Sequence, residues 1–252
     1  MGNDNFNKTK YMTTRTGRTE ENYFERAGEL LRQNFYKEAA TNYLNAILIS
    51  REDAKSYFGL GMCYKNTKNY AKAIKYFDKA VEIDENYFEA YYELGICHLL
   101  EGIPCGAIKN FVRAVQVNPE NPDAILQLGI SHESCEEYDM ALMIYQKLIE
   151  NSPEFIKAYE HKSALLMKMN RYKEASSVLN ELVKRNPDDT NAFAGIGVCF
   201  DKLGKRIDAQ RYYRKFLQHN PLSNQAQFIK SRLEKLKSVS DSKPKKFTLL
   251  QN

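Results

Sequence analysis

Apolar residues along this chain recur at steps of three and four, which is the spacing of one helix face, and the whole pattern then repeats every 34 residues. Ala39 is followed at that interval by Ala73, Ala107, Ala141, Ala175 and Ala209. Four residues after each alanine stands a large apolar residue: Tyr43, Phe77, Phe111, Tyr145, Leu179 and Tyr213. Twelve before it stands a small one: Ala27, Gly61, Gly95, Gly129, Ser163 and Gly197. Further columns run Tyr23, Tyr57, Tyr91, Ile125, Tyr159, Phe193 and Ala46, Ala80, Ala114, Leu148, Leu182, Phe216. Small residues on two facing helices let the backbones approach, and the aromatic columns fill what lies between them. Each period therefore predicts a helix-turn-helix pair. Gly102, Gly204 and polar stretches such as Lys65 to Asn69 mark the break inside a pair. Pro119, Pro153, Pro187 and Pro221 mark the boundary to the next. Pro104 falls at the start of a second helix, where a missing N–H costs little.

The columns resemble the tetratricopeptide repeat: aromatic, Leu-Gly, Tyr, then Ala, Phe/Tyr, Ala and Pro over 34 residues. The second period carries it most fully, as Tyr57, Leu60-Gly61, Tyr64, Tyr70, Ala73, Phe77 and Ala80. The resemblance spans 20–53, 54–87, 88–121, 122–155, 156–189 and 190–223. It implies an all-α fold, a right-handed α-solenoid of six tandem helix-turn-helix units. The first departs from the pattern, with Arg51 in place of proline, and the fifth has Lys162-Ser163 in place of Leu-Gly. Beyond the repeats, 224–237 reads as a capping helix with an apolar stripe of Phe228 or Ile229, Leu233 and Leu236. Residues 1–19 and 238–252 are expected to be disordered, and the closing Phe247-Thr248-Leu249-Leu250 is read as plain tail rather than docking peptide.

Charge changes this picture little. The net charge of +5 lies in the two ends, +3 in residues 1–19 and +2 in 238–252, which leaves the repeats neutral. Nucleic-acid binding is therefore not expected. No run is long and apolar enough to span a membrane, and no secretory h-region opens the chain. The five cysteines form no CxxC pair and suggest neither a zinc site nor a disulfide framework, so they fit a reducing cytoplasm.

Chemistry is sparse. There is no GxGxxG, P-loop or HExxH, and Gly59-Leu60-Gly61 and Gly195-Ile196-Gly197 fall inside helices as packing glycines. His98 and His132 stand one period apart and could share a metal, but both occupy an aromatic column and read as core residues. Cys63, Cys97 and Cys199 share a column that suits a small side chain at a close helix contact. No catalytic residue, cofactor or metal ligand is assigned.

The resemblance implies that the first helix of each unit lines a concave groove. At its fifth and ninth positions the second to fourth units place Phe58, Met62, Tyr92, Ile96, Leu126 and Ile130, six large apolar residues in a strip. Phe58, Met62, Glu89 and Glu93 stand where chaperone-tail binders hold a lysine/asparagine carboxylate clamp. The sixth-position column of Glu25, Gly59, Glu93, Gln127, His161 and Gly195 lacks the asparagine ladder of the sugar-transferring subtype. The expected function is a non-catalytic scaffold or adaptor that binds an apolar-anchored peptide or amphipathic helix of a partner protein. A self-associating structural repeat is the alternative. The opposing reading of the strip is that its residues touch the neighbouring helix and belong partly to the core.

Overall fold

The computed structural model describes residues 22–241, with side chains through Leu236. The expectations for the basic segment 1–19 and for the apolar end Phe247 to Leu250 lie outside the described residues. The described chain is all-α, with no strand. Its helices are α1 (22–32), α2 (Tyr36–Ile49), α3 (Ala54–Asn66), α4 (Tyr70–Ile83), α5 (Phe88–Leu100), α6 (Pro104–Val117) and α7 (Pro122–Ser134), followed by α8 (Tyr138–Asn151), α9 (Ile156–Lys168), α10 (Tyr172–Arg185), α11 (Thr190–Lys202), α12 (Arg206–His219) and α13 (Asn224–Asp241). From α3 to α11 the first helix of each pair begins 34 residues after the last, and so does the second helix from α2 to α12. α13 continues past the expected end at Lys237, since no glycine or proline interrupts 224–241. The helices gather into two compact bodies, and the division falls inside α8, between Ala141 and Leu142.

Both helix ends have identifiable causes. Asp53, Asn69, Asn121 and Asp189 accept backbone N–H groups at the starts of α3, α4, α7 and α11. Pro104 and Pro122 open α6 and α7. The break inside every pair is one motif, repeated. Asn34, Lys68, Gly102, Glu136, Asn170 and Gly204 all adopt the left-handed conformation, with φ from 59° to 74°. At each break the left-handed residue donates its N–H to the carbonyl three residues back, and the next residue donates to the carbonyl five back. Gly102 to Leu99 (3.0 Å) with Ile103 to His98 (2.8 Å) is one example, and Lys68 to Lys65 with Asn69 to Tyr64 (both 2.9 Å) is another. These are Schellman motifs, which satisfy carbonyls that the ending helix would otherwise leave unpaired.

The N-terminal body is held by the alanine and aromatic columns. Ala39, Ala73, Ala107, Phe77 and Phe111 are fully buried, and Tyr43 nearly so. Backbones approach closely where the small column faces a ring: a Cβ built on Gly95 would lie 2.6 Å from Cζ of Phe111, and one on Gly61 2.6 Å from Cδ1 of Phe77. One cluster joins Ala27, Ala39, Tyr43, Leu60 and Cys63. A second joins Ala73, Phe77, Tyr91, Leu94, Cys97, Ala114 and Ala124.

The C-terminal body follows the same rule around Phe193, Ala209, Tyr213 and Phe216. α13 closes it by adding Ala226, Ile229, Leu233 and Leu236 to that cluster. Phe228 is 62% exposed, so the stripe of α13 runs through Ile229. The capping contact is also polar. Arg232 on α13 holds the Asp201 carboxylate of α11 with two nitrogens, Nη2 to Oδ1 at 2.7 Å, and the Tyr213 hydroxyl donates to Oδ2 at 3.3 Å. Lys162, which replaces the leucine of the pattern, stays half-buried with its ammonium on Oε1 of Gln146, and burial lowers its pKa.

Candidate functional site: an apolar strip across three helices

The six residues of the sequence-derived strip all lie in the N-terminal body, two on each of α3, α5 and α7. Five of them, Phe58, Met62, Tyr92, Ile96 and Ile130, are half-buried. Leu126 is only 3% exposed and offers almost no surface. Each half-buried residue divides its surface between the protein and solvent. The Phe58 ring centroid is 5.5 Å from that of Phe77 and 5.1 Å from that of Tyr87. Tyr92 and Phe111 form a T-shaped pair with ring centroids 5.7 Å apart. Phe58, Met62 and Tyr92 pack against the second core cluster. The strip is thus the outer layer of the core, anchored from behind and open in front.

Charge sits beside it in a way the apolar columns did not reveal. Lys65 of α3 bonds Glu93 of α5 at 2.6 Å, with their side chains 22% and 15% exposed. This partly buried pair ties two strip-bearing helices together. The Tyr92 hydroxyl has its pKa raised by burial and by Asp123 and Glu93. Next to Phe58, an open cleft of about 620 Å³ is lined by Glu52, Asp53, Asp84, Glu89, Lys55, Ala54, Ile83 and Tyr87. Burial, and then Glu89, Asp53 and Asp84, push the Tyr87 hydroxyl up to about 12. Four carboxylates against one ammonium make this end of the strip electronegative. Column reading misses the cleft because its lining residues come from the loops between helices as much as from the helices. A surplus of acids just before α3 and α5 was the available signal.

Other candidate groups are placed plainly. Nδ1 of His98 is buried without a hydrogen-bond partner, and the ring abuts Gly106. His132 Nδ1 lies 2.6 Å from Oε2 of Glu137. Among the described residues no group of three or more His, Cys, Asp or Glu could hold a metal ion. Cys63, Cys97 and Cys199 are buried, and burial pushes their thiols up to about 12, 12 and 11. They remain protonated and inert at neutral pH. Ser131 takes the same column in α7 and satisfies its hydroxyl on the Gln127 carbonyl at 2.8 Å. No helix of the described residues is long and apolar enough to cross a membrane.

Residues 54–87 match the tetratricopeptide repeat family, and residues 123–240 match the coatomer epsilon subunit family. No curated protein sequence matches the chain. Solved structures share the fold. YrrB, a TPR protein with an unusual peptide-binding site, is 24% identical over 75% of this chain and 97% of its own, with a TM-score of 0.61. MamA from Desulfovibrio magneticus is 20% identical over 68% and 97%, with a TM-score of 0.62. PilF from Pseudomonas aeruginosa is 15% identical over 86% and 99%, with a TM-score of 0.63.

Proposed function

We propose, from the tetratricopeptide repeat matched at residues 54–87 and the fold shared with TPR proteins, that the chain works as a non-catalytic scaffold whose N-terminal body binds an extended peptide or amphipathic helix of a partner protein. The observation that carries this reading is the row of half-buried apolar side chains, Phe58, Met62, Tyr92, Ile96 and Ile130, on three first helices of one compact body. A ligand laid on these residues removes apolar area from water while the core behind holds the anchors still. Leu126 supports the surface from beneath. The acidic cleft at the Phe58 end favours a partner that follows its apolar anchors with a lysine or arginine. Peptide binding by YrrB, which shares the fold, agrees with this class of ligand. The unpaired thiols suit a reducing compartment, and we assign the protein to the cytoplasm.

The test places a photo-crosslinking residue at Ile96 and, as a control, at the exposed Lys79 of α4, and recovers bound proteins from the native cell. Crosslinks are expected from position 96 and not from position 79. They should be lost in Met62→Glu/Ile130→Glu protein that keeps its helical circular dichroism. Equal capture by that folded variant, or crosslinks from position 79 alone, sinks the reading.

A further inference from the structure

Two cysteines that belong to none of the 34-residue columns meet in the fold. Cys105 is the second residue of α6, just after Pro104. Cys135 caps the C-terminus of α7, just before the left-handed Glu136. They are 30 residues apart in sequence, and their sulfurs lie 3.0 Å apart in one thiol–thiol contact. Both belong to the N-terminal body. Cys105 is exposed and Cys135 half-exposed, whereas Cys63, Cys97 and Cys199 are buried. The fold therefore sorts five thiols into three sealed ones and one accessible pair.

We propose that Cys105 and Cys135 are a redox modification site: a hydroperoxide oxidises the pair to an intramolecular disulfide that staples α6 to α7, and a dithiol reductant reopens it. A disulfide bond is about 2.05 Å long, so the sulfurs need only close by about 1 Å. The order of events follows from access. The Cys105 sulfur attacks the distal peroxide oxygen, the O–O bond breaks, and Cys105 sulfenic acid and water (hydrogen peroxide being the oxidant) are formed. The Cys135 sulfur then attacks the Cys105 sulfur. The S–O bond breaks, and the hydroxyl leaves as water with the proton that Cys135 gives up. Two thiols and one hydrogen peroxide yield one disulfide and two waters, with two electrons passing from sulfur to oxygen. Partial burial and the hydrogen bond with Cys105 push the Cys135 thiol up to about 11. Cys135 is thus held as the thiol, so the first oxidation falls to the exposed Cys105, and Cys135 must shed its proton to the leaving hydroxyl as it attacks.

The consequence is mechanical. α6 precedes α7 in the stack and is packed on α5 and on α7. The bond would fix the start of one helix to the end of the other and remove a 30-residue loop from the freedom of the unfolded chain. This inference stands apart from the proposed binding strip, since it needs no ligand.

The experiment uses the full chain, reduced and freed of reductant, then treated with hydrogen peroxide and alkylated under denaturing conditions. Titratable thiols should fall from five to three. Intact mass before alkylation should drop by two hydrogens, and peptide mapping should link Cys105 to Cys135. The unfolding midpoint should rise by roughly 5–10 °C and return on adding dithiothreitol. Cys105→Ser, at an exposed position, should retain its fold and its four thiols under mild oxidant and show no rise. A count that stays at five in wild type overturns the proposal. So does a link only between two copies of the chain, or a Cys105 that gains oxygen without linking.

Discussion

A single methyl group tests the packing rule on which the N-terminal body is built. Gly95→Ala places a Cβ 2.6–2.7 Å from three atoms of the Phe111 ring, far inside contact distance. The ring cannot swing away. It is fully buried, and Tyr92 packs on it in a T-shaped contact. Relief has to come from a shift of α5 against α6, at an overpacking cost of about 1–3 kcal/mol. Against this, alanine in a helix interior is about 1 kcal/mol better than glycine. The net expectation is a loss of up to about 2 kcal/mol. Gly28→Ala in α1 supplies the control. There the new Cβ would meet only Arg32 Nη1 at 3.7 Å and Tyr43 Oη at 3.8 Å, ordinary contacts. The helix-propensity gain then stands alone, and stability should rise by about 0.5–1 kcal/mol. Urea unfolding followed by far-ultraviolet circular dichroism reads both through the midpoint at unchanged m-value. Amide exchange in α5 gives a local check where the two bodies unfold in separate steps. In a Phe111→Leu background the cost of Gly95→Ala should shrink, giving a coupling of about 1 kcal/mol. The reasoning is refuted if the two glycine substitutions change stability with the same sign, or if Gly95→Ala and Phe111→Leu simply add.

Three further outcomes are expected. Lys68→Gly should stabilise by about 0.5–1 kcal/mol and Gly102→Ala should destabilise by about 1 kcal/mol, because both residues hold a left-handed φ (60° and 74°) that a Cβ opposes; urea midpoints decide both. The Arg232 hydrogen bonds, opposed in part by burial, hold the Asp201 carboxyl below its ordinary 3.8, so the pair's stabilisation is complete above that value and is lost as pH falls through the depressed one. Asp201→Asn should therefore cost about 1 kcal/mol at neutral pH and flatten the acid limb of the stability–pH curve, as read from unfolding midpoints; an unchanged acid limb contradicts the assignment. In native, fully reduced protein, iodoacetamide should modify the exposed Cys105 well before the buried Cys63, Cys97 and Cys199, with site occupancy read by peptide mass.

The hydrophobic period alone determined the class of fold and the register of its helices. Helix faces need apolar side chains at fixed steps, and stacked pairs need small residues opposite rings. Ala39, Gly61 and Phe77 therefore announce their places by type. The strip from Phe58 to Ile130 was legible for the same reason. Its depth was not: Leu126 and Tyr92 occupy the same column, yet one is sealed and the other half-open, because exposure depends on which neighbour covers a residue. The left-handed breaks were half-hidden. They fall at one period as strictly as the alanines, but only Gly102 and Gly204 betray the backbone by type. Asn34, Lys68, Glu136 and Asn170 are held left-handed by the Schellman hydrogen bonds and the docking of the next helix. The Lys65–Glu93 pair and the Cys105–Cys135 contact lie off the period, 28 and 30 residues apart. Repetition in sequence places equivalent residues. Only the packing of one helix against the next decides which inequivalent residues touch, and the charge and thiol chemistry of this protein rests on those contacts.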